Sequence, residues 1–132
     1  MTNEREENSA LATLRKYFGY ESFRPGQAEL INAILEGRDV LGVMPTGSGK
    51  SVCYQIPSLL LHGITIVISP LISLMRDQVD GANEIGIPAA FINTTQTPDE
   101  QQQVFDAANA GKVKLLYVAP ERLETARFRA FA

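Results

Sequence analysis

Cys53 is the only cysteine among 132 residues, so no internal disulfide and no cysteine-built metal centre can form. Its simplest reading is a small buried side chain. Tryptophan is absent, and the one histidine, His62, has no companion ligands to complete a metal site. No apolar run approaches the ~20 residues a helix needs to cross a bilayer. The opening stretch, MTNEREENSA, is polar and acidic, unlike the basic and then apolar start of a signal peptide. The cytoplasm is the expected location, with no membrane partner. Positive charge is not in excess either: 12 Lys and Arg against 15 Asp and Glu leave a net charge of -3. Nucleic-acid binders usually carry a basic face or stripe, so any such contact here has to be local. A hydrophobic content of 45% suits one buried core.

The chain reads as a leader followed by alternating helices and strands. Residues 1–9 are expected to be a flexible leader. Over residues 10–18, Leu11, Leu14 and Phe18 recur at helical spacing, and Gly19 stops that helix. A second helix is expected from about Arg24, with Pro25 in its first turn and Leu30, Ile31, Ile34 and Leu35 as its apolar stripe, ending at Gly37. The apolar run of residues 39–44 reads as a buried strand. Helices over 50–61, 71–85 and 99–110 then alternate with strands over 64–68, 89–92 and 113–118. Thr97-Pro98-Asp99-Glu100 has the form of a capping box with proline at the first helical position. This order predicts one α/β unit, a parallel sheet with helices on both faces, over residues 10–132.

The strongest chemical signal is Met44-Pro45-Thr46-Gly47-Ser48-Gly49-Lys50-Ser51. It leaves an apolar strand and enters a helix, the context a phosphate-binding loop requires. Gly47 and Gly49 let the backbone curl, so that amides of Thr46 to Ser51 face an anion above the helix N-terminus. Lys50 is placed to reach the β and γ phosphates of a nucleotide, and the Ser51 hydroxyl to hold magnesium. Met44 stands where the strict pattern has glycine. The bland alternative is a glycine-rich turn carrying an exposed lysine.

Upstream lies Tyr17-Phe18-Gly19-Tyr20-Glu21-Ser22-Phe23-Arg24-Pro25-Gly26-Gln27. This segment resembles the aromatic-Gly-x-x-x-Phe-Arg-x-x-Gln element that precedes the phosphate loop in RecQ helicases. That family commonly has methionine at the first loop position, and Cys53-Tyr54-Gln55-Ile56-Pro57 fits it too. Residues 67–79 resemble helicase motif Ia. Asn93-Thr94-Thr95 and Tyr117-Val118-Ala119-Pro120-Glu121-Arg122-Leu123 sit where the family has strand-end segments. The resemblance spans residues 11–123, and the order of five segments is more specific than any one of them.

The resemblance implies a RecA-like, three-layer P-loop NTPase fold that is incomplete at the C-terminus. It also implies an ATP-dependent 3'-5' DNA helicase using ATP and Mg2+. Gln27 would hydrogen-bond the adenine edge, with Arg24 and Tyr20 packed on the ring. An amide both donates and accepts, and a guanidinium can stack on a base. Ser69, Arg76, Asn93 and Thr95 become candidate contacts to a DNA backbone, since such groups suit phosphate oxygens and read no sequence. Taken singly, each could equally be a helix cap or a solvated side chain. Single-stranded and duplex DNA are the implied partners, together with a single-stranded-DNA-binding protein, and a bacterial version would be nucleoid-associated. The family's Asp-Glu-x-His segment has no match, because Asp99-Glu100 follows Thr97-Pro98 and reads as a helix cap. The chain is therefore expected to hold a nucleotide weakly and not to turn it over. Two other functions compete: another P-loop enzyme such as a small-molecule kinase, and a non-catalytic nucleotide-binding module.

Overall fold

The computed structural model describes residues 4–42, 50–125 and 130, in two compact units, Met1–His62 and Gly63–Ala132. In the first, α1 spans Glu4–Thr13, so a helix occupies residues expected to be a leader. Glu4, Arg5 and the alanines of this stretch favour helix, which accounts for the earlier start. The Thr13 hydroxyl donates back to the Ser9 carbonyl at 2.8 Å. The chain then widens into a π turn over Leu14–Phe18 and stops at Gly19, whose φ of 73° is left-handed. Helix α2 spans Gln27–Leu35 and starts later than its sequence suggests. Gly26 has a φ of 87°, a conformation no right-handed helix can contain, so Arg24 and Pro25 belong to the preceding turn. At the other end Gly37 donates to Ile34 at 3.0 Å and Arg38 to Ala33 at 3.1 Å, closing the helix at the expected glycine.

The strand expected over residues 39–44 is not formed at 39–42, where Val40 and Leu41 are exposed. A strand needs a hydrogen-bonded neighbour, and among the described residues these have none. Val43 and Met44 lie outside the described residues. Helix α3, Lys50–Leu60, continues through Pro57. Its buried Val52 and Ile56 pack with Ala10 of α1, Leu14 of the π turn and Ile31 of α2.

The second unit is a parallel sheet with β3 at its centre: β1 (Thr65–Ile68), β3 (Leu115–Val118) and β2 (Ala89–Ile92), in that order. Both neighbours are in register with β3, Thr65 and Ala89 each opposite Leu115. Helix α4 (Ile72–Glu84) joins β1 to β2, and α5 (Pro98–Asn109) joins β2 to β3. All four residues of β3 are buried, as a central strand covered on both faces must be. Leu116 and Val118 pack with Ile92, Phe105, Ala108 and Val113. Leu115 and Tyr117 point the other way and are equally inaccessible. A short 3-10 turn, Pro120–Glu124, follows. This is the α/β parallel sheet expected from the sequence. Among the described residues no helix is long and apolar enough to cross a membrane.

The edge strand β2 is held at both ends by side-chain amides. Asn83 accepts from Ala89 N–H at 2.9 Å and donates to the Ala89 carbonyl at 3.2 Å. Gln96 donates to the Phe91 carbonyl at 2.9 Å and accepts from Asn93 N–H at 3.1 Å. Each amide thus makes the paired bonds that a neighbouring strand would supply.

Helix α5 opens on the capping box read from the sequence. Thr97 Oγ1 accepts from Glu100 N–H at 3.2 Å, and the Glu100 carboxylate accepts from Thr97 N–H at 3.0 Å. The Thr97 N–H on that carboxylate, then the Thr97 side chain and the charge of Arg76, hold the Glu100 carboxyl below its usual range. Replacing Thr97 by Ala is expected to cost about 1 kcal/mol in urea unfolding. Because the folded carboxyl is the stronger acid, the contribution of Glu100 is complete above the unfolded carboxylate range. It disappears as pH falls through the folded value. The stability gap between wild type and Glu100→Ala must therefore narrow on acidification; a gap that widened would contradict the box.

Candidate functional site

A cleft of about 240 Å3 in the first unit is lined by Phe18, Tyr20, Ser22, Arg24, Gln27, Ser51, Val52 and Gln55. Four residues singled out by sequence, Tyr20, Arg24, Gln27 and Ser51, therefore share one hollow. Local structure explains the arrangement. The π turn and the left-handed Gly19 deliver the loop that carries Tyr20 to Arg24. The Arg15 guanidinium donates twice to the Glu21 carbonyl, at 3.3 Å each, and ties that loop back. Gly26 then turns the chain into α2, so that Gln27 is its first residue. Gln27 is 3% exposed, and its Oε1 accepts from Arg24 N–H at 2.8 Å. This bond fixes the amide and the rim residue together. Tyr20, half exposed at 51%, and Arg24, also exposed, form the rim. Ser51 enters from the first turn of α3.

Lys50, the first residue of α3, is exposed and lines a second hollow of about 320 Å3 with Leu30, Ile34, Val40, Gly42, Cys53 and Tyr54. Cys53 is buried and unoxidised, and burial raises its thiol pKa, so it behaves as a small apolar side chain. Thr46, Gly47, Ser48 and Gly49, expected to cradle phosphate, lie outside the described residues. Sequence reasoning assigned no role in the cleft to Phe18, Ser22, Val52 or Gln55. The spacing of Ser51 and Gln55 was a usable signal, since side chains four apart share a helix face.

The other four candidates belong to the second unit. Ser69 directly follows β1 and Asn93 directly follows β2, and parallel strands put both at the carboxyl edge of the sheet, where open α/β sheets bind ligands. Ser69 Oγ accepts from Leu71 N–H at 3.2 Å. Arg76 is exposed, its guanidinium 5.8 Å from the centre of the Phe91 ring. Asn93 is placed differently: it is 2% exposed and its polar groups are engaged inside the protein. Its Oδ1 accepts from the N–H and the hydroxyl of Thr95, its Nδ2 approaches Met75 Sδ, and its carbonyl accepts from Gln101. Asn93 thus shapes the turn and leaves no group over to meet a phosphate, whereas Thr94 and Thr95 stand exposed on it. Among the described residues no group of three His, Cys, Asp or Glu could hold a metal ion.

The family model for DEAD/DEAH box helicases matches residues 24–130. The chain belongs to the DEAD/DEAH box helicase family. Its relatives agree with the RecQ resemblance of residues 11–123. It is 56% identical over 93% of its length to the ATP-dependent DNA helicase RecQ of Haemophilus influenzae, of which it covers 20%. It is 52% identical over 90% of its length to the protein of the same name from Bacillus subtilis, again covering 20%. Against the ATP-dependent DNA helicase Q-like 5 of Arabidopsis thaliana, identity is 42% over 95% of this chain and 14% of the relative. The chain thus spans about a fifth of the length of its bacterial relatives. Membership carries with it the RecA-like P-loop architecture, of which the parallel sheet of the second unit is a part.

Proposed function

We propose that this chain supplies the nucleotide-binding part of an ATP-dependent DNA helicase of RecQ type, working in the 3'-5' direction, with ATP as its nucleotide. One observation carries the reading: Tyr20, Arg24, Gln27 and Ser51 line a single cleft. Gln27 is buried and orientationally fixed, so it can meet a base edge without first losing rotamer freedom. Tyr20 and Arg24 on the rim offer a ring and a guanidinium to the faces of that base. Lys50 and Ser51 open α3, whose N-terminal amides favour an anion. Lys50 would pair with the β and γ phosphates. Ser51 would hold a Mg2+ ion carried in by the nucleotide, since Mg2+ is commonly held by few protein groups together with substrate phosphates. When bound, that ion neutralises phosphate charge.

Backbone phosphates of single-stranded or duplex DNA would meet the carboxyl edge of the sheet through Ser69, Arg76 and Thr95, with Asn93 holding the Thr95 turn in place. A single-stranded-DNA-binding protein is the further partner, and the cytoplasm the setting, with the nucleoid in a bacterial version. The catalytic acids belong to a segment outside residues 1–132, so the chain alone binds without hydrolysing. Titration of the chain with ATP tests the base site. Gln27→Ala is expected to weaken binding about tenfold, the scale of a lost buried hydrogen-bond partner. DNA should stimulate no phosphate release from residues 1–132. Unchanged affinity in Gln27→Ala would remove the adenine-reading role, and turnover by the chain alone would remove the division of labour.

A further inference from the structure

Six polar residues are buried among those described: Thr13, Gln27, Gln55, Ser58, Asn93 and Gln101. Five of them place their side chains in hydrogen bonds. Thr13 donates to Ser9, Gln27 accepts from Arg24, Ser58 donates to the Gln55 carbonyl, Gln101 donates to the Asn93 carbonyl, and Asn93 accepts from Thr95. Gln55 is the exception. It is 8% exposed, yet among the described residues its side-chain amide has no hydrogen-bond partner. Its main-chain carbonyl accepts from the Ser58 hydroxyl. Its amide atoms are not sealed off completely, so the little surface the residue keeps leaves hydrogen-bonding capacity for a ligand in the cleft it lines. Gln55 also lines the 240 Å3 cleft, one helical turn beyond Ser51.

We propose that Gln55 is a second base-reading residue: with Gln27 it forms an amide floor that hydrogen-bonds the edge of the nucleotide's heteroaromatic ring. This rests on the reading of the cleft as the base site and extends it. The division of chemistry within the cleft supports it. The exposed residues, Tyr20 and Arg24, suit the flat faces of a ring, whereas the buried ones, Gln27 and Gln55, suit its edge. A purine edge sets a donor beside an acceptor, and each carboxamide offers two donors and one acceptor. Two amides therefore match more of that edge than one, and they distinguish purines that differ in the exocyclic group. A ribose, whose hydroxyls are not coplanar, gains nothing from a floor placed between two ring-covering side chains.

The side-chain NH2 resonances of Gln27 and Gln55 in 15N-labelled chain give the test. Adenosine and ADP are each expected to shift both signals, and ribose 5-phosphate neither. Gln55→Met keeps the length of the side chain and removes the amide. It is expected to weaken ADP binding about fivefold to tenfold and to leave inorganic pyrophosphate binding unchanged. If Gln27 responds to adenosine while Gln55 does not, and Gln55→Met binds ADP as tightly as wild type, the second reader is refuted and the base site survives. A Gln55 signal that follows ribose 5-phosphate makes it a sugar ligand and equally refutes the proposal. Silence of both glutamines toward adenosine and ADP removes the base site itself. Should Gln55→Met fail to fold, the wild-type resonances still decide.

Discussion

Lys50→Ala in the full-length gene product is expected to lower DNA-stimulated ATP hydrolysis by at least about a hundredfold, the scale on which removing one charge-stabilising group acts in a preorganised site. Lys50 is the first residue of α3 and is exposed. Its ammonium group makes no ion pair within the described residues, so no such pair among them is lost on substitution. Substitutions at such positions change stability by no more than about 0.5 kcal/mol. The variant should therefore unfold at the same urea concentration as wild type while losing turnover. That combination separates phosphate binding from folding. If hydrolysis persisted in a well-folded Lys50→Ala protein, the phosphate role of the loop would be lost, and with it the reason to read Ser51 as a magnesium ligand. A parallel measurement with Ser51→Ala sharpens the point. Loss of activity that excess Mg2+ partly restores would fit a hydroxyl that holds the ion.

Where the sequence was legible, the physics was local. Strand 89–92 coincides with its expected bounds, and α5 starts one residue before the expected 99, at the proline that the capping box put first, because apolar residues and turn formers leave few alternatives. Glu100 is diagnostic in the same way. Beside Asp99 it could be mistaken for a catalytic acid, yet proline before it and a threonine three residues back specify a helix cap, and its carboxylate does bond the Thr97 N–H. Errors fell where backbone conformation, which composition does not record, took over. Proline at position 25 suggested a helix start, but the left-handed Gly26 moved that start to Gln27. The π turn at Leu14–Phe18 has no signature in apolar spacing, since Leu14 and Phe18 lie four apart in an ordinary helix as well.

Polar interiors were the least legible part. Asn93 has the composition of a backbone-contacting residue, and its position after a strand encouraged that reading. Its burial follows from partners that no local pattern reveals: Met75 lies 18 residues earlier, and Gln101 lies eight residues later across a helix start. Gln55 was likewise quoted only as part of a motif. Its meaning comes from Tyr20, Arg24 and Gln27, which the fold brings to the same cleft from a distant loop. Motif resemblance thus pointed to residues that the fold gathers in one cleft. Tyr20, Arg24, Gln27 and Ser51 could be named from the chain alone because the motifs fix their positions. Whether a side chain faces a ligand or a neighbour depends on tertiary contacts.

The sheet supplies a second large effect. Leu116→Ala is expected to destabilise the chain by about 2–5 kcal/mol, the range for deleting most of a buried leucine side chain. Leu116 is fully buried at the centre of β3, against Ile92, Phe105, Ala108 and Val118. It is hemmed in by a strand on either side and a helix on its face, so the surroundings cannot collapse into the space left behind. Ile66 offers the control. It lies directly opposite Leu116 in the parallel register with β1, yet is 38% exposed. Ile66→Ala should cost less than about 1 kcal/mol, because only part of its surface leaves water on folding. Urea midpoints for the two variants at equal slope give the comparison. Equal losses would mean that β1 is covered as completely as β3, and a negligible loss at Leu116 would mean that the central strand does not form the core. The ratio matters for function as well, because Ser69 and Asn93 leave the ends of β1 and β2. Both strands are registered on β3, so a β3 loosened by Leu116→Ala would weaken any backbone contact through Ser69 and Thr95 along with stability, whereas Ile66→Ala would leave that contact intact.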